Sequence, residues 1–321
     1  MDTEIFIDPS TGSSLTSDKE FYFNDKNERF ARLKNGIPNF TYPQNLMESD
    51  QTSLDWYKLN ALDYDEYLPL TFETFDVDEN KERQKMIDAL EIRPGNTVLE
   101  LGAGTGRDTK KILEALNGQG SCYIQDISPE IMEICYEKLN SSYHGINKIF
   151  FLSNASYLPL KNNSFDRIFH FGGLNTFSER KRAIKEIVRV AKPGAKVVIG
   201  DENMPIWLRN TEFAKVLMNS NPHYAFDLPL EDLPKEARNV KVEWFIGGVF
   251  YFIQFEVGLG DPYANIDFEI PGLRGGSHRT RYYGQLEGVN SDQKKKIYEY
   301  AKLKGLSVSS VLEELISKLD N

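Results

Sequence analysis

The chain has 321 residues, enough for one α/β domain of about 200 residues with smaller appendages. With 40% hydrophobic and 27% charged residues it reads as an ordinary globular protein, and a net charge of −10 excludes a general binder of nucleic-acid phosphates, though not a local basic patch. Two cysteines, Cys122 and Cys135, lie outside any C-x-x-C pair, which excludes a disulfide framework and a cysteine-based zinc site. The acidic start, broken by Pro9 and Gly12, does not read as a signal peptide, and no apolar run reaches the roughly 18 residues that a membrane span needs. A reducing, cytoplasmic compartment is expected.

Residues 1–45 read as short strands and turns. Ile5-Phe6-Ile7 runs into Asp8-Pro9, Phe21-Tyr22-Phe23 runs into Asn24-Asp25, and Gly36-Ile37-Pro38 closes the segment. Residues 46–80 hold ten carboxylates against the single Lys58, interleaved with Trp56, Tyr57, Tyr64, Tyr67, Phe72 and Phe75. They predict helical pieces broken at Pro69, either a lid or linker, or an acidic helix with its aromatic face in the core.

Residues 81–271 have a regular pattern. Met86, Ile87, Leu90 and Ile92 predict a helix ending before Pro94-Gly95. Strands are expected at Thr97–Leu101, Tyr123–Gln125, Lys148–Leu152, Phe165–Phe171 and Ala195–Gly200, with helices at about Thr109–Leu116, Pro129–Leu139 and Glu179–Ala191. That alternation predicts a doubly wound, Rossmann-like parallel sheet. Val240–Ile246 and Val249–Val257, joined by Gly247-Gly248, read as an antiparallel hairpin with a two-residue primed turn that completes a seven-stranded sheet.

Residues 272–321 predict a strand at Arg279–Leu286 and two helices, Ser291–Lys304 and Ser307–Leu319, each entered by a serine cap. The tail has nine Lys/Arg against six acids. A strand followed by a helix pair resembles a ribbon-helix-helix module, in which Arg279 and Arg281 would read DNA. The plainer reading is docking or homodimerisation through Val308, Val311, Leu312, Leu315 and Ile316.

The chemistry concentrates in VLELGAGTGRD, Val98–Asp108. An apolar strand delivers the chain into a glycine turn at a helix N-terminus, where backbone can approach a ligand. The spacing is G-x-G-x-G with Arg107 following, not the G-x-G-x-x-G of a dinucleotide fingerprint. Glu100 would repel a pyrophosphate and can attract a cation. Asp126 ends the next strand, 24 residues after Gly102, where a nucleoside site needs an acceptor for both ribose hydroxyls. Taken alone it could instead cap the helix opened by Ser128-Pro129, but its spacing from the glycine turn favours the ribose role. Asn154-Ala155 follows the third strand and reads either as a polar turn or, by likeness to related enzymes with Asp-Ala there, as a contact to an adenine edge through the amide oxygen, with Ile127 on the adenine face. His170, ending the fourth strand, is a candidate general base or a buried hydrogen-bonded histidine, and Asn175 is either an acceptor-orienting or a loop residue.

VLELGAGTGRD, DISPEIM, LPLKNNSFDRIFH and EIVRVAKPGAKVVI together resemble the UbiE/type-11 branch of class I methyltransferases over about residues 85–202. The resemblance implies S-adenosylmethionine as cofactor, S-adenosylhomocysteine as product, and Glu100, Gly102, Ala103, Gly104, Asp126, Ile127, Asn154 and Ala155 as cofactor residues. Related enzymes usually have Asp-Ala at 154–155, so Asn154 departs from the pattern. Residues 1–45, ending in GIPNF at Gly36–Phe40, resemble the zinc-ribbon-derived Trm112-like leader, with Asp8-Pro9-Ser10-Thr11 in place of C-P-x-C. A structural flap without metal is expected. The first functional reading is methyl transfer to a small-molecule acceptor, with O-, N- or C-methylation open. An RNA or protein acceptor recognised by leader or tail is the second, and a cofactor-binding regulator whose tail contacts DNA the third.

Overall fold

In the computed structural model, described for residues 5–273, 275–283 and 290–319, the chain divides into two compact units, residues 1–262 and residues 263–321. The first contains a seven-stranded sheet. In chain order its strands are β4 (Thr97–Leu101), β5 (Gly120–Asp126), β6 (Ile146–Leu152), β7 (Phe165–Phe171), β8 (Ala191–Glu202), β9 (Ala237–Phe245) and β10 (Phe250–Val257). Their spatial order is β6-β5-β4-β7-β8-β10-β9, parallel from β6 to β8, with β10 antiparallel to both of its neighbours. The chain winds outward from β4 through β5 to β6 and then returns to β7 on the other side of β4. This reversal opens a crevice beyond the carboxyl ends of β4 and β7, where open α/β sheets bind ligands.

Alternation along each strand sends side chains to two separate cores. Val98, Ile124, Phe169 and Val198 pack under α3 (Glu79–Leu90), α4 (Arg107–Leu116) and α5 (Pro129–Leu139). Leu99, Tyr123, Ile168 and Ile199 pack on the other face against α6 (Arg180–Val190). Glu100 and Asp126 belong to the first face, His170 and Asp201 to the second.

The leader forms a small sheet from β1 (Thr16–Ser17), β2 (Phe21–Phe23) and β3 (Arg29–Ala31). The expected strand at Ile5–Ile7 is reduced to isolated bridges, Phe6 to Leu160 and Ile7 to Ser14. Phe6, Tyr22 and Phe40 are buried together and Phe6 packs on Phe151, each contributing roughly 2–3 kcal/mol of apolar burial, so the leader shares the body's core. Its end lies along the outer edge of the sheet. Phe40 N donates to Leu152 O, and Leu152 N donates to Pro38 O, which pairs the Gly36–Phe40 stretch with β6 and covers that edge.

Two leader turns are clasped by side chains. Asp8 Oδ1 accepts from Ser10 N at 2.7 Å, Ser10 Oγ at 2.7 Å and Thr11 N at 3.3 Å, and its Oδ2 accepts from Asn24 Nδ2 at 2.6 Å. Asn24 Oδ1 in turn accepts from Lys26 N and Glu28 N. Burial raises the Asp8 pKa, but the hydrogen bonds from Asn24 and Ser10 outweigh it and hold it below 3.8. Its stabilisation is therefore complete above the unfolded value and is lost as pH falls through the lower folded value. Asp8→Ala is expected to destabilise the protein by about 2–3 kcal/mol at neutral pH, and less in acid. Thermal melts at the two pH values check this; an equal loss at both contradicts it.

Three local expectations are corrected. Pro69 does not break a helix but lies inside α2 (Tyr64–Thr74), and the break from α1 (Glu48–Asn60) falls at residues 61–63. The carbonyl that proline cannot serve, Asp65 O, accepts from Arg107 Nη2 at 2.8 Å instead. The hairpin loop is not a two-residue turn: it runs from Ile246 to Val249, with Ile246, Gly247 and Gly248 all at positive φ. Phe75 packs so closely on Gly247 that a Cβ there would lie 2.2 Å from its ring.

The third correction concerns the tail. Residues of the expected Arg279–Leu286 strand form a helix, α8 (His278–Tyr283), while residues 284–286 lie outside the described residues. Ser277 and Thr280 cap each other reciprocally: Ser277 N donates to Thr280 Oγ1 and Thr280 N to Ser277 Oγ, which nucleates that turn. The helix pair is as expected, α9 (Ser291–Lys304) and α10 (Val308–Ile316), although the cap of α9 is Asn290 and not Ser291. Arg279 and Arg281, the expected DNA readers, thus lie on a helix and not on a strand.

Candidate functional site

The glycine turn leaves β4 through Gly102, Gly104 and Gly106, all at positive φ. Gly106 also permits close packing, since a Cβ there would lie 2.7 Å from Leu139 and 3.0 Å from Cys135 on α5. The turn is tied to the neighbouring strand. Gly104 N donates to Asp126 Oδ2 at 2.9 Å, Gly102 N to Gln125 Oε1 at 3.2 Å, and Ala103 N to Gln125 O at 2.9 Å. Gln125 Nε2 donates to Ser153 O, which links the turn to the end of β6 as well. Ile127, beyond Asp126, is partly exposed, and Ala155 is buried.

Asp126 is 6% exposed and Ser128 N donates to its Oδ1 at 2.9 Å. Burial raises its pKa against the opposing hydrogen bonds from Ser128, Gly104 and Ile127. A carboxylate has about four acceptor positions, so these donors leave capacity for a further one such as a ribose hydroxyl. Ser128 Oγ accepts from Ile131 N and caps α5 itself, so the capping role that the sequence left open for Asp126 belongs to Ser128.

Glu100 is 1% exposed, and its Oε2 has no hydrogen-bond partner among the described residues. Burial drives its pKa well above 4.5, and the nearby Asp108 and Asp126 add to the rise against Thr109 and Arg83. A buried carboxylate with a bare oxygen beside a glycine turn is costly unless a cationic or hydrogen-bonding group completes it. Glu100 and Asp126 therefore suit a ligand with a cationic end and a vicinal diol, which are the features of S-adenosylmethionine.

Helices α1 and α2, from the acidic aromatic segment, lie over this crevice. The Tyr64 ring is 3.8 Å from where a Cβ of Gly104 would stand, and it pairs with Tyr57 at 5.6 Å between centroids. Both rings are partly exposed, yet burial of their hydroxyl ends raises the pKa of Tyr64 to about 12 and that of Tyr57 well above 10. Asp65 fastens α2 to the turn through Thr105 Oγ1 at 2.5 Å, Arg107 Nε at 3.1 Å and Lys138. Asp50 fastens α1 to Asn154 and Ser178. The sequence marked this segment by its composition, but which of its ten acids meet the crevice depends on helix rotation, and no periodic signal reports it.

Asn154 is 5% exposed and its amide is engaged on both sides, Oδ1 accepting from Ser156 N at 2.9 Å and Nδ2 donating to Asp50 Oδ2 at 3.2 Å. His170 is completely buried under the turn. Its ring stands 3.2 Å from where a Gly102 Cβ would be, and its Nδ1 is 2.8 Å from Leu101 O. A carbonyl only accepts, so Nδ1 carries the proton and Nε2 is a bare lone pair without a partner among the described residues. Burial lowers the His170 pKa, against the Leu101 hydrogen bond and the charge of Asp201, and keeps the ring neutral. His170→Ala is expected to cost about 3 kcal/mol of stability, because it leaves a cavity and an unpaired Leu101 carbonyl beneath the turn. Denaturant unfolding tests this, and a loss below about 1 kcal/mol would remove the ring as a support of the turn.

Asn175 is 7% exposed. Its backbone N donates to Asp201 Oδ2 at 2.6 Å and its Nδ2 to Glu202 O at 2.8 Å, while Oδ1 has no partner among the described residues. Burial raises the Asp201 pKa well above 3.8, with Glu202 adding to it. The β8 end thus presents two acids and an open amide oxygen, with Tyr224 packed near Glu202. Asp201 and Glu202 were not anticipated; they sit in GDEN, where two acids after a strand resemble any polar loop. Among the described residues no group of three metal-ligating side chains converges, and no helix is long and apolar enough to cross a membrane.

The central part of the chain is similar to known proteins. Residues 63–214 match the model of the ubiE/COQ5 methyltransferase family. A ubiquinone/menaquinone biosynthesis C-methyltransferase UbiE from Wigglesworthia glossinidia brevipalpis is 31% identical over 131 residues, covering 41% of this chain and 51% of the relative. Its counterpart from Citrobacter koseri is 32% identical over 120 residues, covering 37% and 48%. The matched stretch thus spans about half the length of these curated relatives. Among solved structures, a SAM-dependent methyltransferase from Aquifex aeolicus aligns at TM-score 0.41 and 20% identity, covering 59% of this chain and 98% of that one. The resemblance read from Val98–Asp108 onward is borne out over residues 63–214.

Proposed function

We propose that this protein transfers a methyl group from S-adenosylmethionine to a small-molecule acceptor. The observation that carries the reading is the bare, buried carboxylate oxygen of Glu100 beside the glycine turn, facing the same core as Asp126 on the adjacent strand. In this reading Glu100 holds the cationic amino end of the cofactor, the backbone of Gly102, Ala103 and Gly104 lies along it, and Asp126 takes the ribose hydroxyls. Ile127 covers one adenine face, with Asn154 and Ala155 at its edge.

When bound, the cofactor supplies a sulfonium whose methyl carbon is already activated, so the protein's task is alignment and exclusion of water. Tyr57 and Tyr64 on the lid perform the exclusion. Asn175, Asp201 and Glu202 line the end of β8, on the acceptor side of such a sheet. Their charge disfavours a phosphorylated or nucleic-acid acceptor and is compatible with a neutral or basic small molecule. His170 supports the turn from below, and its base role is not needed for an acceptor that arrives deprotonated.

Calorimetry with S-adenosylmethionine and S-adenosylhomocysteine tests the reading at its root; absence of binding by the purified protein would sink it. Transfer of a labelled methyl group into a metabolite extract, and not into protein or RNA, is the expected second result.

A further inference from the structure

Asp50 is the third residue of α1 and is 7% exposed, although it lies on the most acidic segment of the chain. A buried carboxylate normally has a cationic partner, but Asp50 pairs with no Lys or Arg among the described residues. Its donors are neutral. Oδ1 accepts from Ser178 N at 3.0 Å, while its own backbone N donates to Ser178 Oγ at 3.1 Å. Oδ2 accepts a single long bond, 3.2 Å, from Asn154 Nδ2. The carboxylate therefore has acceptor capacity to spare beside Asn154.

The Asn154 side chain is poorly placed to serve as that acceptor itself. Its Oδ1 already holds Ser156 N in a turn, and its Nδ2 is a donor that faces Asp50. The amide orientation is fixed by this pair of partners, since Ser156 N can only donate and a carboxylate can only accept. The departure at 154, Asn where the resembled family usually has Asp, thus coincides with a carboxylate supplied from elsewhere in the chain.

We propose that Asp50 is the acceptor for the exocyclic amine of the cofactor's adenine. The carboxylate expected at the end of the third parallel strand has moved, in this protein, onto the lid helix α1. Cofactor recognition and seating of α1 over the crevice then become one event, because the base is read by a residue that arrives with the lid. The proposal rests on the S-adenosylmethionine reading above and adds a residue to it.

The test compares S-adenosylhomocysteine with its inosine analogue, in which the exocyclic amine is replaced by a carbonyl oxygen. Calorimetry on the native protein is expected to show a roughly tenfold to hundredfold preference for the adenine form, the usual range for a hydrogen bond to a charged group. In Asp50→Ala that preference collapses to within about threefold, and in Asp50→Ala/Asn154→Asp it returns. Asp50→Asn retains the contact to Ser178 without the charge, and its preference should fall at least about threefold even if the alanine variant does not fold. Amide hydrogen exchange in residues 48–60 should slow more with S-adenosylhomocysteine than with the inosine analogue.

A latch without a recognition role predicts something different: Asp50→Ala weakens both ligands equally and leaves their ratio intact. That result, an unchanged ratio in folded Asp50→Asn, or a native protein that binds both ligands alike would overturn the proposal. A native protein that binds neither ligand would instead overturn the reading on which it rests.

Discussion

Replacing Asp126 by alanine is expected to weaken S-adenosylhomocysteine binding about a thousandfold. Two hydrogen bonds from ribose hydroxyls to an ionised carboxylate are worth about 1.5–3 kcal/mol each, and alanine removes both. The same change frees Gly104 N and Ser128 N, which donate to the two oxygens at 2.9 Å each, so the glycine turn loses its fastening to β5. Asp126→Asn separates the two losses. Its amide oxygen can still hold one backbone donor, so the turn is better preserved, while the charge is gone. Calorimetry on both variants, with circular dichroism to confirm the fold, is the check. Binding by Asp126→Ala within threefold of the native protein would remove this residue from the site.

Glu100→Gln is expected to stabilise the ligand-free protein while weakening cofactor binding roughly tenfold to a hundredfold. Burial raises the folded pKa of Glu100 well above its ordinary 4.5, so the folded state holds a proton that the unfolded chain releases. The cost of the buried charge is absent below about pH 4.5 and grows as pH rises from there towards the folded pKa. The gain in melting temperature from glutamine should therefore be larger at pH 8 than at pH 5. A cationic amino group arriving beside Glu100 draws it into the ionised form, so binding at a pH below the raised folded pKa should release a proton and tighten as pH rises. Calorimetry in buffers of different ionisation enthalpy measures that proton directly. A binding enthalpy independent of buffer, or a glutamine variant that binds as tightly as the native protein, would contradict the assignment. The two predictions differ in kind: Asp126 also supports the turn, whereas Glu100 Oε2 supports nothing else in the fold.

The parallel strands were legible because a buried strand is a short apolar run, and helices alternate with them between Thr97 and Glu202 except across residues 153–164, which join β6 to β7 without a helix. Elements missed or misread lie where local chemistry competes with pattern. Pro69 reads as a helix breaker, and only the guanidinium of Arg107, 38 positions away, makes the exposed Asp65 carbonyl tolerable. Gly247-Gly248 reads as a tight primed turn, but the Phe75 ring against Gly247 accompanies a longer loop. Arg279–Tyr283 has the aromatic residues of a strand, yet the reciprocal Ser277–Thr280 cap starts a helix.

By itself the sequence determined the parallel α/β sheet with its closing hairpin and the pairing of Glu100 with Asp126 around a glycine turn. Those features depend on neighbours within one βαβ unit, where strand alternation and turn chemistry leave little choice. Only the tertiary structure decided which acids of residues 46–80 reach the crevice, that His170 lies buried beneath Gly102, and that Asp50 stands beside Asn154. These contacts join residues about 40 to 130 positions apart, and they follow from how helices rotate and dock, which side-chain packing settles and local periodicity does not encode.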